Sequence, residues 1–335
     1  MPLLAVLLLL LWSPPATAAS WSLAAARDLA TSIDAAAAEG LDPARFEPAR
    51  LRAAMAAGEG PFLDATADRL FGRLAAAYLG GVVPAGARVG WSAPARAPDD
   101  VAAMAGQALA RVHEGAAVQP LLDALLPRAP AYRALRAALA ATPASDTARR
   151  TRLAVNMERW RWLPALPAGR LLWVNVPAFE LGLVRDGAVE ARHRVIVGKP
   201  RTPTPQFAAL VEGVILNPEW VVPASIRKES IDRLLARDPA RARAEGYVRT
   251  ATGVTQRPGP HNQLGLMKLA MPNPHSVYLH DTQAKALFDR PARAFSHGCV
   301  RVERPLDLAQ WLLEGTSFDR ARIDAVVASG ATTEA

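Results

Sequence analysis

From residue 20 to about 141, apolar residues, mostly Ala and Leu, recur at helical spacing with charged residues between them. Residues three and four apart share one face of a helix, so the pattern predicts helices over 21–38, 43–57, 62–79, 99–113, 118–126 and 131–141. Breaks fall at Gly40, Gly58-Glu59-Gly60 and Gly80-Gly81, across the proline-rich 82–98, and from Pro127 to Pro130. Glycine and proline interrupt helical backbone at such places. Asp99 and Asp100 stand where the positive end of a helix dipole favours acidic side chains. No internal repeat is found, and no polar cluster in this half suggests chemistry. His113 and Trp91 read as ordinary scaffold residues.

Residues 142–150 are mostly small and polar, with Pro143, Ser145 and Asp146, and read as a linker. From Asn156 the texture changes. Residues 171–176 and 179–184 are apolar and β-prone. Asp186-Gly187 then separates two extended runs, the turn chemistry of a tight hairpin. Residues 193–197 and 210–216 continue the strand pattern, 224–236 read as a helix or two, 276–280 as a short strand and 304–313 as an amphipathic helix. The expected fold class is α+β, with a helical domain over 20–141 followed by a mainly β domain over 151–330. Such a β domain can hold side chains from several strands and loops around one cleft. Residues 231–255, rich in Arg and Ala, are a candidate lid by position and polarity.

The first eighteen residues differ from the rest. Leu3 to Leu11 is a purely aliphatic run extended by Trp12, broken by Ser13-Pro14-Pro15 and followed by the small-x-small Ala16-Thr17-Ala18. That reads as a cleaved secretory signal over 1–18, and the run is too short for a membrane anchor. No Lys or Arg precedes it, so the amino terminus supplies its positive charge. No cysteine follows the cleavage signature, which excludes lipid attachment there. The expected location is therefore the periplasm or cell envelope, with no stable membrane span in the mature chain. The net charge of +8 lies wholly outside the signal. It draws an exported protein toward anionic envelope polymers or membrane surfaces. Nucleic acid is not an expected partner, because there is no dense basic run and no aromatic–basic interleaving.

The chain has one cysteine, Cys299, so it can form no internal disulfide. A lone thiol in an oxidising compartment is a liability unless it has a use. Its surroundings supply one. Val277-Tyr278-Leu279-His280-Asp281-Thr282 precedes Ser296-His297-Gly298-Cys299-Val300-Arg301-Val302. A cysteine nucleophile needs a thiolate, a base or cation to make it, donors for the developing oxyanion, and a backbone that exposes the sulfur. Gly298 removes the side chain beside the sulfur, and free N–H groups around Gly298 and Cys299 are expected to form the oxyanion hole. Arg301, two residues on, leaves the same face as Cys299 if the segment is extended; there it lowers the thiol pKa and can hold a substrate carboxylate. His280 is the expected base, with Tyr278 on its face of the strand. His297 points the other way and is expected to orient the turn or line the cleft. A zinc site using His280, His297 and Cys299 is the rival reading, but no HExxH or paired CxxC supports it.

These residues closely resemble the catalytic domain of the L,D-transpeptidase family of bacterial cell-wall enzymes. The family's mark is a histidine followed, after a moderate stretch, by Ser-His-Gly-Cys, a small apolar residue and Arg; here these are His280 and Ser296 through Arg301. Val155 through Pro164, Val197-Gly198-Lys199-Pro200, Thr202 through Pro205, Asn217 through Trp220, Pro223, Ser225-Ile226, Gly259 through Gly265, and Lys268 resemble the family's larger periplasmic branch. The helical half is more loosely similar to that branch's scaffold domain. The short linker leaves no room for the small peptidoglycan-binding module that this branch often carries.

The resemblance implies a β-rich catalytic domain with no metal or organic cofactor. It implies that Cys299 attacks the third residue of a tetrapeptide stem of peptidoglycan, expels D-Ala and passes the acyl group to an amine to form a 3–3 cross-link. His280 would serve as base, oriented by a main-chain carbonyl; Ser296, His297, Gly298, Arg301 and Tyr278 would shape the oxyanion and substrate site, and carbapenems would acylate Cys299. Two other readings are an L,D-carboxypeptidase or amide hydrolase of the same fold, in which water is the acceptor, and a non-catalytic wall-binding module.

Overall fold

The computed structural model describes residues 20–335, and the signal read over 1–18 lies outside the described residues. The described chain forms two compact units, 20–88 with 95–165, and 89–94 with 166–335. The first is helical and the second strand-rich, so the expected α+β class holds.

The helical unit comprises α1 (Leu23–Ala35), α2 (Pro48–Ala56), α3 (Pro61–Gly80), α4 (Pro98–His113), α5 (Val118–Leu125), α6 (Pro130–Ala141) and α7 (Thr147–Trp162). Helices α2, α3, α4 and α6 begin on proline, whose fixed φ suits the first helical position and whose missing N–H has no helical partner to lose there. Helix α3 lies in the core, where Leu63, Leu70, Phe71 and Leu74 join Trp21, Leu29, Ile33, Leu51 and Leu122. Burying each such side chain stabilises the unit by about 1.5–3 kcal/mol.

The expected linker over 142–150 is a connection only at its start. Asp146 accepts from the Arg149 N–H at 3.0 Å and caps α7, which continues through Trp162 within the helical unit. Most of α7 is exposed or half-buried, and its buried residues are Met157, Glu158, Arg161 and Trp162. A helix that buries a half-polar face shows no apolar period to read.

The polar part of that face forms a buried network. Tyr132 donates to Glu39 at 2.7 Å, and Arg161 donates to the Glu39 carbonyl at 2.9 Å and to Glu158 at 2.8 Å. Glu158 also accepts from Trp162 Nε1 at 2.9 Å and from the N–H groups of Val82 and Val83 at 2.7 and 2.9 Å. Burial raises the Glu158 pKa, but the bonds from Arg161, Trp162 and Val83 outweigh it and hold the carboxyl below its usual range.

The strand-rich unit is built on β1 (Arg170–Asn175), β2 (Glu180–Arg185), β3 (Ala188–Gly198), β4 (Gly213–Leu216), β5 (Trp220–Val221), β6 (Tyr247–Thr250), β7 (Gly253–Gln256), β8 (Met267–Ala270), β9 (Leu279–His280), β10 (Ala294–Ser296), β11 (Val300–Val302) and β12 (Thr333–Glu334). The main sheet runs β1-β2-β3-β11-β9-β8-β4-β12, with β10 also paired to β3. Asp186 and Gly187 both take left-handed φ (48° and 82°), as the two-residue β2–β3 turn demands.

Leu181, Val195, Val197, Val214, Leu216, Met267, Leu269, Leu279, Val300 and Val302 bury one face of this sheet with Leu308 and Ile323 of α11 (Pro305–Leu313) and α12 (Arg320–Ser329). Side chains alternate along strands, so Ile196, Ile215, Lys268, His280 and Arg301 belong to the other face. A second sheet, β5-β7-β6, packs around its own core of Trp220, Val222, Ile231, Ala242, Tyr247, Val254 and Leu264, with Tyr278 against it. Helix α8 (Ala224–Ile226) precedes residues 231–255, the candidate lid, which contribute α9 (Asp232–Arg237), α10 (Pro239–Ala244), β6 and β7 to this smaller body.

Candidate active site

The site is assembled where β9 and β11 run parallel in the middle of the main sheet. Val300 registers with Leu279 and Arg301 with His280, and the Val300 N–H donates to the Tyr278 carbonyl at 3.0 Å. With Val300 and Leu279 in the core, the alternation turns Cys299, Arg301, Tyr278 and His280 to the opposite face. Two segments 21 residues apart in sequence, Tyr278 and Cys299, thus meet at one level of one face.

Cys299 is half-buried. Burial pushes its thiol pKa up, while the Tyr278 N–H beside the sulfur and the charges of Arg301 and Lys268 pull it down without prevailing. Among the described residues the thiol hydrogen bond goes to the Ser276 carbonyl at 3.9 Å, and none joins it to the His280 ring.

His280 is 5% exposed. Burial, then the Arg301 charge, pushes its pKa down to about 3; the carbonyls of Asp281 and Leu264 face the ring and oppose the shift. Its Nδ1 is buried without a well-directed hydrogen bond. The resting pair is therefore a neutral thiol and a neutral imidazole, with Arg301 a charged neighbour of both.

The turn before the cysteine is held from within and without. Ser296 Oγ donates to the Cys299 carbonyl at 2.5 Å and accepts from the Gly298 N–H at 3.1 Å. Gly298 has φ 122°, a conformation that side chains other than hydrogen resist. Thr204 Oγ1 donates to the Gly298 carbonyl at 2.7 Å. The Gly298 amide, expected among the oxyanion donors, is engaged within the turn by Ser296 Oγ.

The remaining expected residues are spread around this centre. The Tyr278 ring stands 5.6 Å from the His280 ring, edge-on; burial, then the nearby Cys299, raises its phenol pKa, and Trp220 makes a hydrogen bond with it. His297 lies against a different set of residues: its Nε2 is 2.8 Å from Glu229 and 3.2 Å from Lys199 Nζ.

Sequence reasoning assigned no role to Asp281, Glu229 or Lys268 in this arrangement. Asp281 is fully buried; its carboxylate accepts from the Leu266 N–H at 2.9 Å and pairs with Lys285, so it supports the turn beside the ring. Its adjacency to His280 was the available signal. Lys268 is the cross-strand partner of His280, and its Nζ lies 5.4 Å from the Tyr278 ring centroid. Nothing in the spacing of 268 and 280 announces that pairing. A cavity of about 640 Å³ between the β2–β3 hairpin and α11 contains none of these residues; Leu183, Arg185, His193 and Trp311 are among its lining. Among the described residues no group of three or more His, Cys, Asp or Glu is arranged to hold a metal.

Fold and site together define an α+β protein whose strand-rich part carries a cysteine and a histidine on adjacent central strands. Comparison with known proteins points the same way. Residues 169–325 match the YkuD family model, described as the L,D-transpeptidase catalytic domain, and residues 11–139 match the Scaffold domain model. A Haemophilus influenzae protein named "Putative L,D-transpeptidase" is 32% identical over 211 residues, which cover 55% of this chain and 41% of that protein. The chain thus spans about two fifths of the length of the curated relative it matches. It carries an L,D-transpeptidase catalytic domain in its strand-rich part and a scaffold domain before it. Members of that family are cell-envelope enzymes that act on peptidoglycan.

Proposed function

We propose that this protein is a peptidoglycan L,D-transpeptidase whose nucleophile is Cys299 and whose base is His280. The observation that carries the reading is the β9–β11 register, which turns the thiol and the imidazole to one face with a shared cationic neighbour. Both groups are neutral at rest, so the proton leaves the sulfur for the imidazole as the sulfur attacks, rather than beforehand. The sulfur adds to the carbonyl carbon of the third stem residue. The tetrahedral intermediate collapses as the C–N bond to D-Ala breaks, and the imidazolium returns its proton to the departing amine. A side-chain amine from a second stem then attacks the thioester carbonyl, loses a proton to His280 and releases the thiol.

With the Gly298 amide engaged, the Cys299 N–H is the main-chain donor assigned to the oxyanion. Arg301 and Tyr278 line the substrate side, and Ser296 holds the turn. The pattern over 3–18 supports export to the cell envelope, and no helix among the described residues is long and apolar enough to cross a membrane.

The test is to incubate the purified protein with a disaccharide-tetrapeptide and weigh the products. Cross-linked dimers support transfer. Shortened monomers alone would make it an L,D-carboxypeptidase, and no product would remove the enzymatic reading. A carbapenem adduct of one-to-one mass, absent in Cys299→Ala, is expected alongside.

A further inference from the structure

Across three strands of the main sheet, Lys268, His280 and Arg301 form one row. Lys268 registers with His280 between β8 and β9, and His280 with Arg301 between β9 and β11. Adjacent strands lie about 4.8 Å apart, so the backbones of the two basic residues flank that of His280 and lie roughly 10 Å from each other across the sheet. Both act electrostatically on the Cys299 thiol.

Neither cation has an acidic partner among the described residues. Asp281, next to the ring, is taken by the Leu266 N–H and Lys285. Glu229 is taken by His297 and Lys199. Arg301 Nε is buried with no hydrogen bond at all, and Lys268 is half-buried along the face of Tyr278. Other half-buried arginines find either an acid, as Arg185 with Glu190 and Arg227 with Asp232, or main-chain carbonyls, as Arg293 with those of Val195 and Phe179. Two positive charges facing a nucleophile with no counter-charge form a site for an anion.

We propose that Lys268, together with Arg301, binds the free terminal carboxylate of the donor peptide, and that Lys268 thereby restricts the reaction to the last peptide bond of the chain. This rests on the reading of Cys299 as the nucleophile. In a peptide whose leaving group is its final residue, the carboxylate carbon is three bonds from the attacked carbonyl carbon. With that carbonyl over the sulfur, the carboxylate falls among the cations flanking His280. A longer peptide places an uncharged amide there and leaves both charges unpaired. A site built to pair a charged group rejects an analogue lacking it far more strongly than an apolar pocket rejects a missing methylene.

The test follows thioester formation on the full chain by intact mass. One donor is a tetrapeptide ending in D-Ala as the free acid; the other is the same peptide with a terminal carboxamide. A charge-assisted bond worth about 1.5–3 kcal/mol corresponds to a preference of roughly 10- to 150-fold in kcat/KM for the acid. In Lys268→Gln the acid donor loses far more than the amide donor, mainly through KM, and the preference collapses; in Lys268→Arg most of it returns. The amide donor reports whether the variant is folded and its thiol competent. An unchanged acid-to-amide ratio in Lys268→Gln, or no preference in the unsubstituted protein, overturns this proposal while leaving the nucleophile in place. Failure of both donors to acylate the unsubstituted protein overturns the proposed function itself.

Discussion

In the helical unit, Glu158 is 6% exposed and its two oxygens accept from Arg161, Trp162, Val82 and Val83. In the strand-rich unit, His280 is 5% exposed and faces the Asp281 and Leu264 carbonyls without a well-directed hydrogen bond at Nδ1, and Arg301 buries an unbonded Nε beside it. Both regions take titratable groups out of water. The first compensates the cost with partners, Arg161 Nε being the atom of its network left over. The second leaves the cost standing next to a thiol. A buried polar group without a partner is unfavourable by about 1–3 kcal/mol, so a fold retains it where a ligand or a reaction completes it. The difference teaches where to expect a loss of stability on substitution and where a loss of chemistry.

Four substitutions and one titration sharpen or break that contrast. Cys299→Ala has the largest expected effect: carbapenem and stem-peptide adducts vanish in the mass spectrum while the thermal melt hardly moves. Glu158→Ala should act the opposite way. It leaves the Arg161 charge uncompensated in the interior, costing about 3–5 kcal/mol in urea unfolding, while the labelling rate of the folded protein is retained. If that rate falls with the stability, the contrast fails. His280→Ala should slow acylation by about 10²- to 10⁴-fold, the range for a positioned general base. Ser296→Ala removes the acceptor of the Gly298 N–H and the donor to the Cys299 carbonyl; about 1–3 kcal/mol of stability should go with it, and acylation should slow because the turn loosens.

The pH dependence has the gentlest expected effect. Burial raises the thiol pKa, so alkylation of Cys299 by iodoacetamide should climb with pH and still be rising above about 9.5, where an ordinary cysteine, half-ionised near 8.5, levels off. A plateau near neutral pH would mean a thiolate at rest and would contradict the neutral pair. His280 titrates at about 3, so it stays an unprotonated base throughout that range. Because the unfolded chain would protonate this histidine near 6.5 and the folded chain does not, stability falls as pH drops from about 6.5 toward the folded value.

Much of the site was legible because its chemistry is local in sequence. Ser296, Gly298, Cys299 and Arg301 lie in one turn and the strand that follows it, and alternation into β11 is enough to put the sulfur and the guanidinium on one face. The β2–β3 hairpin was equally readable, since Asp186-Gly187 carries its own backbone preference. Helix α7 was not, because its buried face is made of Glu158, Arg161 and Trp162 as well as Met157. The engaged Gly298 amide was not either: whether an N–H is free depends on the rotamer of Ser296, which no spacing encodes.

The amino-acid order by itself determined the α+β class, the family likeness and the pairing of a lone cysteine with a histidine motif, since each rests on residue type and short-range period. Tertiary structure alone decided which strand lies beside which. Strand pairing joins residues through space at a register set by the whole sheet, and it is this that placed Lys268 next to His280, set Arg301 on the other side, and left both cations without an acid among the described residues.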